Sequence, residues 1–160
     1  MSLESVKAWL SERAPDVRLI EAHGSTATVL DAAETLGVEP GRIAKTLSVR
    51  VGSETFLLVT RGDARLDNQK CKAEFGGRPR MLGPDETFEL TGHPVGGVCP
   101  FGLSSPLPVY VDISLRNFDT VYPAAGSRSS SVEITPKHLF DLVGSRWVDA
   151  CRLPEEPPGT

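Results

Sequence analysis

The sequence predicts a single domain of the α+β class, in which helices surround a curved, mixed and largely antiparallel β-sheet. The chain has 160 residues, the size of one ordinary domain, and its 39% hydrophobic and 24% charged residues are typical of a globular protein. Strand-like segments cluster in the middle of the chain, whereas helix-like segments occur at irregular intervals. No internal repeat or linker divides the chain. We therefore expect one domain over residues 1–152 and a disordered, proline-rich tail over residues 153–160.

Two helices are predicted before the first strand. An amphipathic helix over residues 2–13 is indicated by apolar side chains at helical spacing, and Pro15 ends it. These apolar side chains are Leu3, Val6 and Leu10. Thr28 and Asp31 have the spacing of a capping box, which predicts a second helix that ends at Gly37.

A β-hairpin is predicted next. Apolar and polar residues alternate over residues 47–51, Gly52 and Ser53 supply a turn, and an apolar strand returns over residues 55–60.

Shorter elements are predicted in the remainder of the chain. Two helical segments, each followed by glycine, cover residues 67–75 and 84–90. The predicted strands cover residues 108–112, 120–122 and 131–134. Thr135 as a cap and Pro136 at the first helical position predict a last helix that runs through Val143 and stops at Gly144.

The charge of the chain argues against one large class of function. A net charge of -4 disfavours a general nucleic-acid binder that is held by counterion release. Residues 61–80 are an exception, with six basic and three acidic side chains. This stretch is either a limited phosphate contact or the solvated face of a helix and its flanks.

Cysteine and histidine usage indicates a cytoplasmic protein without metal or cofactor. The three cysteines are odd in number and far apart, which fits a reducing compartment better than a disulfide framework. No apolar run is long enough to span a membrane, and the N-terminus lacks the pattern of a signal peptide. The histidines and cysteines lack metal-ligand spacing, and no GxxxxGK phosphate loop is present. We expect no metal, no cofactor and no membrane partner.

Lys45 is an unusual residue for its position. If the strand begins near Ala44, the period-two rule places Lys45 on the same face as Leu47, Val49 and Val51, which should be buried. A buried ammonium needs an anion or a pocket. The alternative is that the strand begins one residue later and Lys45 extends to solvent.

The segment from Gly92 to Gly102, here called the glycine loop, holds four glycines and two prolines in eleven residues. Glycines allow the backbone to approach a ligand closely, so the main-chain N–H groups of Gly97, Val98 and Cys99 are candidates to bind an oxyanion or a carbonyl. The alternative is a plain turn between a helix and a strand.

Cys99 lies near His93 in this loop and raises the possibility of a thiol nucleophile. No local signature of a known cysteine hydrolase accompanies the pair. A small polarizable residue that lines a pocket is the favoured interpretation of Cys99.

Several segments, in this order, resemble the YbaK family of free-standing aminoacyl-tRNA deacylases, which includes EbsC-type proteins. They also resemble the related editing domain that is inserted in bacterial prolyl-tRNA synthetases. The similarity runs from about residue 20 to residue 144. The segments that carry it are Ala32–Val38, Ile43-Ala44-Lys45-Thr46-Leu47, Gly62–Asp67, the Gly96-x-x-x-Pro100 part of the glycine loop, and Val121–Arg128.

The resemblance implies a trans-editing hydrolase that cleaves the ester between a small non-cognate amino acid and the 3′ end of a tRNA, typically the tRNA for proline. Its implied partners are the tRNA acceptor end and prolyl-tRNA synthetase. Lys45 would hold the terminal adenosine or its phosphate, while Gly96 and Gly97 would hold the aminoacyl carbonyl, and these three are the expected catalytic residues. The expected substrate-binding residues are His23, Thr46, Val98, Cys99, Pro100, Ala124 and Gly126.

One position departs from the family pattern. Some members carry serine where this chain has Ala124. This departure favours an alternative function, a noncatalytic module that binds an aminoacyl nucleotide or a tRNA end and regulates a synthetase.

Overall fold

Five α-helices and ten strands make up residues 2–154, the part of the chain that this computed structural model describes. The helices are α1 (Ser2–Arg13), α2 (Val29–Leu36), α3 (Asn68–Phe75), α4 (Pro84–Thr91) and α5 (Pro136–Val143). The strands are β1 (Arg18–Glu21), β2 (Ile43–Val51), β3 (Glu54–Arg61), β4 (Arg65–Leu66), β5 (Arg80–Met81), β6 (Val109–Asp112), β7 (Tyr122–Pro123), β8 (Ser130–Glu133), β9 (Arg146–Val148) and β10 (Cys151–Arg152). Short 3-10 helices cover Pro40–Arg42 and Ile113–Asn117.

The main sheet is mixed, as predicted, and has the strand order β5-β2-β3-β6-β9. β2 and β3 form the predicted hairpin, and β5 also runs antiparallel to β2. The β3/β6, β6/β9 and β2/β7 pairs are parallel. β1 with β8 and β4 with β10 form two separate antiparallel ladders.

The two faces of the hairpin pack against different apolar clusters. Leu57 and Val59 point to a cluster that contains α1 and the end of the glycine loop. Phe56 and Leu58 point to a second cluster that contains α3 and the C-terminal strands. This alternation follows from the period-two pattern of strands, and it separates the side chains of β2 into two sets.

Most elements that carry strong local signals are confirmed. Thr135 caps α5, because its side chain accepts a hydrogen bond from the His138 N–H, and Thr28 caps α2 in the same way. The sequence analysis missed β1, β4, β5, β9 and β10, which have two to four residues each. Strands this short depend on their partners more than on an internal pattern. Leu153 packs against the second cluster, which extends the predicted domain, and residues 155–160 of the predicted tail lie outside the described residues.

The glycine loop is longer than a plain turn. After α4 ends at Gly92, no helix or strand of the described structure begins until Val109. His93 anchors this segment in the interior, because its side chain is buried and its Nε2 donates to the Phe101 carbonyl at 2.7 Å. Among residues 2–154, no helix is both long and apolar enough to cross a membrane.

Candidate active site

A cavity of ≈ 290 Å³ opens at the edge of the main sheet. β7 pairs with β2 at Ile43 and Ala44, whereas β5 pairs with β2 at Val49 and Arg50. Between these positions, no described strand covers this edge of β2, and the cavity occupies the gap. Its walls come from β2, the first turns of α2 and α4, the glycine loop, and the segments around Ala124 and Ser131.

Thr46 stands at the centre of the gap. Its hydroxyl oxygen is buried and has no hydrogen-bond partner among the described residues. The Ser48 carbonyl accepts from the Leu82 N–H at this edge, so the main-chain groups of Thr46, two residues earlier, point to the same edge. A buried polar group without a partner costs about 1–3 kcal/mol, and a ligand in the cavity would remove that cost.

Lys45 borders the same cavity, but its side chain starts from the other face of β2. Lys45 pairs with Thr60 across the hairpin, as Leu47 pairs with Leu58, so the predicted face is confirmed, although the strand begins at Ile43. The Lys45 ammonium donates to the Ala64 carbonyl at 2.6 Å. Burial lowers the pKa of Lys45, and the nearby Asp63 carboxylate opposes that shift. A lysine ammonium has three donors, so this contact leaves two for a ligand.

Gly96 and Val98 present the glycine loop to the cavity. In the described part of the chain, their main-chain N–H groups donate to no protein acceptor. Gly97 differs from both. Its N–H donates to the Pro94 carbonyl at 3.0 Å, so the predicted role of Gly97 as an oxyanion donor requires correction.

Gly97 has a structural role in this loop instead. Its carbonyl accepts from the Gly126 N–H at 3.0 Å. A Cβ at Gly97 would lie 2.6 Å from the Ser127 nitrogen and 2.7 Å from the Gly126 carbonyl carbon. Only glycine permits this contact between the two loops.

Cys99 is a core residue and does not line the cavity, which corrects its predicted position. Its side chain is fully buried in the first apolar cluster, and burial raises the pKa of its thiol to about 12. His93 lies 3.5 Å away through Nε2, but that nitrogen carries its proton toward the Phe101 carbonyl, which can only accept. His93 therefore has no free lone pair at Nε2 to take a proton from Cys99, and Nδ1 pairs with the Ser2 hydroxyl.

Burial of His93 predicts a pH-dependent stability. Because desolvation lowers the pKa of His93, the unfolded chain takes up a proton more readily than the folded chain once the pH falls below about 6.5. We expect the free energy of unfolding to decrease by up to about 1.4 kcal/mol per pH unit in this range. Urea denaturation between pH 7.5 and 5.5 measures the slope. It should be smaller in His93→Gln and unchanged in His23→Gln, which removes an exposed imidazole; equal slopes in all three proteins would contradict this assignment.

The predicted site residues divide into two groups. Those that line the cavity are Lys45, Thr46, Gly96, Val98 and Ala124. Those that do not are His23, Gly97, Cys99, Pro100 and Gly126. His23 is exposed beyond the end of β1, and Pro100 is a buried residue of the glycine loop. Gly126 faces α1, because a Cβ there would lie 2.8 Å from the Ser2 carbonyl oxygen.

Hydroxyl groups from distant segments complete the wall. They belong to Thr26, Thr28, Ser48, Thr87 and Ser131. Ser131 lies directly across from Ala124 in an isolated antiparallel bridge, so a serine hydroxyl lies next to the position that carries alanine. Sequence analysis missed these residues because they come from four separate segments. The only local signal was that Ser48, two residues after Thr46, lies on the same face of β2.

The basic residues of the 61–80 stretch lie away from this cavity, and two of them, Arg78 and Arg80, line a second pocket together with Arg50. Arg61 holds the Asp63 carboxylate through two hydrogen bonds of 2.6 and 2.7 Å, which lowers the pKa of Asp63. Lys70 contacts the Cys151 carbonyl and the Asp149 carboxylate. None of the stretch's basic side chains lines the cavity. Among residues 2–154, no group of three or more histidine, cysteine or acidic side chains is placed to hold a metal ion.

Comparisons with known proteins identify the class. A family model described as an aminoacyl-tRNA editing domain matches residues 23–142. The chain is 48% identical over 154 residues to the uncharacterized protein YwhH of Bacillus subtilis, and the match covers 95% of this chain and 98% of that protein. The chain belongs to the aminoacyl-tRNA editing domain family.

Other relatives confirm the predicted resemblance to YbaK-type proteins and to synthetase editing domains. EbsC of Enterococcus faecalis, proposed to be a Cys-tRNA(Pro)/Cys-tRNA(Cys) deacylase, is 32% identical over 81% of this chain and 78% of its own length. The proline–tRNA ligase of Shouchella clausii is 33% identical over 98% of this chain, which corresponds to 29% of the ligase. A crystal structure of a proposed trans-editing enzyme for prolyl-tRNA synthetase matches with a TM-score of 0.86 and 34% identity, over 94% of this chain and 97% of the other. This match also confirms the fold class.

Proposed function

We propose that this protein is a trans-editing hydrolase that cleaves the ester of a mischarged aminoacyl-tRNA, with the tRNA for proline as its substrate. The observation that carries the proposal is the cavity in the edge of β2. There Thr46, whose hydroxyl has no partner, lines one space with Gly96 and Val98, whose main-chain N–H groups donate to no main-chain acceptor of the described residues. Membership of the editing family supports an ester substrate for this site.

The cavity suits a small, uncharged amino acid. Its volume of ≈ 290 Å³ is at the lower end of the range for ligand pockets, about 300–1,000 Å³. Its lining combines aliphatic side chains with hydroxyl groups, and no aspartate or glutamate of the described chain contributes to it. Such a pocket excludes large side chains by size and offers no partner to a positively charged one.

A small pocket also fits the logic of editing. A synthetase discriminates by only about 1–3 kcal/mol between amino acids that differ by one methylene group. A second site that admits only smaller residues removes the errors.

The proposed mechanism uses positioning and main-chain dipoles. The ester carbonyl oxygen accepts hydrogen bonds from the Gly96 and Val98 N–H groups, which become stronger as negative charge develops on it. A water molecule attacks the carbonyl carbon, the bond to the ribose oxygen breaks, and that oxygen leaves with a proton. Lys45 binds the terminal adenosine through the donors that the Ala64 carbonyl does not use, and Thr46 binds the aminoacyl group. An aminoacyl ester is already activated, so such a site needs no side-chain nucleophile.

The decisive experiment is a deacylation assay with purified protein and tRNA for proline charged with proline, alanine, serine or cysteine. We expect hydrolysis of at least one small non-cognate ester well above its spontaneous rate, and no acceleration for proline. The same panel on tRNA for cysteine and tRNA for alanine tests the tRNA preference. If no ester is hydrolysed faster than its spontaneous rate while aminoacyl-nucleotide analogues still bind, the noncatalytic module is the correct function.

Thr46→Val is expected to separate function from stability. Valine has nearly the shape of threonine but lacks the hydroxyl, so the variant no longer buries an unpartnered oxygen and should be more stable by about 1 kcal/mol. Deacylation should nevertheless fall by about tenfold, because the aminoacyl group loses a hydrogen bond. Urea denaturation and kcat/KM measure the two effects. The control is Thr55→Val on β3, outside the cavity wall, where the lost hydroxyl accepts from Arg50 Nε, so this variant should lose stability and keep its activity. Unchanged activity in Thr46→Val would remove Thr46 from the site.

A further inference from the structure

Arg128 packs against Gly96, a residue of the cavity wall, and it has no assigned role although it ends the Val121–Arg128 segment of the resemblance. It is an exposed residue of the segment between β7 and β8. Its side chain packs directly against Gly96. A Cβ built at Gly96 would lie 3.0 Å from Nε and 3.1 Å from Cγ of Arg128. The side chain therefore covers Gly96, which lines the cavity.

The main chain fixes Arg128 in this position. The Thr26 N–H donates to the Arg128 carbonyl at 2.7 Å, and Thr26 itself lines the cavity. The next residue, Ser129, accepts from the Ala22 N–H at 2.7 Å. Arg128 thus connects the Thr26 wall with the glycine loop, and its backbone is held on a rigid support.

The guanidinium of Arg128 is available for a ligand. Within residues 2–154, it forms no hydrogen bond or ion pair with another side chain or with the main chain. Other arginines near the sheet are paired, for example Arg42 with Asp119 and Arg50 with Glu86. An unpaired guanidinium on a fixed backbone has the geometry to bind a phosphate through two parallel hydrogen bonds.

We infer that Arg128 binds a backbone phosphate in the single-stranded 3′ end of the RNA whose terminal ester enters the cavity. The inference rests on the proposed function. The inference gives the two cations different roles. The Lys45 ammonium is half-buried and held at the Ala64 carbonyl, whereas Arg128 is exposed and packs against Gly96. Arg128 meets the chain of nucleotides outside the cavity, and Lys45 meets the last nucleoside within it.

The inference is tested by binding, which needs no hydrolysis. The probe is a fluorescein-labelled RNA hairpin with four unpaired nucleotides at its 3′ end, and the same hairpin with a blunt end serves for comparison. Fluorescence anisotropy gives the Kd at several salt concentrations. Arg128→Gln should raise the Kd for the hairpin with the unpaired end about tenfold, and it should reduce the slope of log Kd against log salt by about 0.7, the value for one contact to a single strand.

Two variants control for charge and for shape. Arg13→Gln removes an arginine of α1, which contributes no residue to the described cavity wall, and should change the Kd by less than twofold. Arg128→Lys keeps the charge but not the paired donors, so it should retain the salt slope and lose part of the affinity. Thermal melting confirms that each variant folds.

Three outcomes would overturn the assignment. The first is that Arg128→Gln binds the hairpin with the unpaired end as tightly as the wild type does. The second is that Arg128→Gln loses equal affinity for the blunt hairpin. The third is that the wild-type protein binds both hairpins with the same Kd. Each is distinct from failure of the proposed function, which the deacylation panel decides alone. A protein that hydrolyses esters normally after Arg128→Gln, with an unchanged KM, keeps the proposed function and loses this phosphate contact.

Discussion

Replacing Lys45 with alanine is expected to lower kcat/KM for deacylation by at least about a hundredfold. The change removes the one cation that borders the cavity from β2, and it removes a charged donor that positions the terminal adenosine. Loss of the adenosine contact lets the ester shift in the cavity, and a misplacement of about 1 Å costs about a hundredfold in rate. Single-turnover deacylation with excess enzyme measures the effect on the chemical step.

Lys45→Arg tests how tightly the ammonium is held. Arginine keeps the charge, but its planar group is wider than an ammonium and does not fit the half-buried site at the Ala64 carbonyl. We expect this variant to lose most of the activity. Lys72→Ala, an exposed lysine of α3, should retain full activity. If Lys45→Arg were as active as the wild type, the role of Lys45 would reduce to general attraction of RNA.

A second large effect is expected from Gly97→Ala. The added methyl group would lie within 3 Å of main-chain atoms of Gly126 and Ser127, and main chain cannot move aside as a flexible side chain can. The glycine loop must then separate from the Gly126 segment, which breaks the hydrogen bond from the Gly126 N–H to the Gly97 carbonyl. Overpacking of this kind costs about 1–3 kcal/mol. Displacement of Gly96 and Val98 should also reduce deacylation by about a hundredfold.

Gly83→Ala provides the control for this substitution. A Cβ at Gly83 has no heavy atom within 4 Å beyond its chain neighbours, so the variant should lose only a few tenths of a kcal/mol at the start of α4 and keep its activity. Chemical denaturation and single-turnover kinetics measure both variants. A Gly97→Ala protein with wild-type stability and rate would show that the contact between the two loops is not needed.

The elements that sequence analysis predicted are those with local causes. Alternation along β2, the glycine turn after it and the caps of α2 and α5 each depend on residues only a few positions apart. The same alternation correctly placed Lys45 on the face of Leu47. Neighbouring side chains of a strand alternate, so Thr46 lies on the opposite face of β2 from Lys45.

The parts that escaped prediction depend on contacts between distant segments. The gap in the edge of β2 exists because two short strands, β5 and β7, stop on either side of it; β5 was not predicted, and the strand predicted near β7 gave no sign of its partner. Whether the Gly97 N–H is free depends on how the loop folds back to Pro94, which composition does not reveal. Cys99 was assigned to the wall by its place in the loop, whereas its apolar character determined a place in the core.

The contacts of α1 bear on how this domain can be shortened. A Cβ at Gly102 would lie 2.9 Å from the Ser5 carbonyl oxygen, and a Cβ at Gly126 would lie 2.8 Å from the Ser2 carbonyl oxygen. The Ser2 hydroxyl also forms a hydrogen bond with His93 Nδ1. The first helix thus packs against both the glycine loop and the Gly126 segment, although it precedes the segment that the family model matches. A fragment trimmed to residues 23–142 would retain every residue that is proposed to bind the substrate. It would lose α1, which supports the two loops.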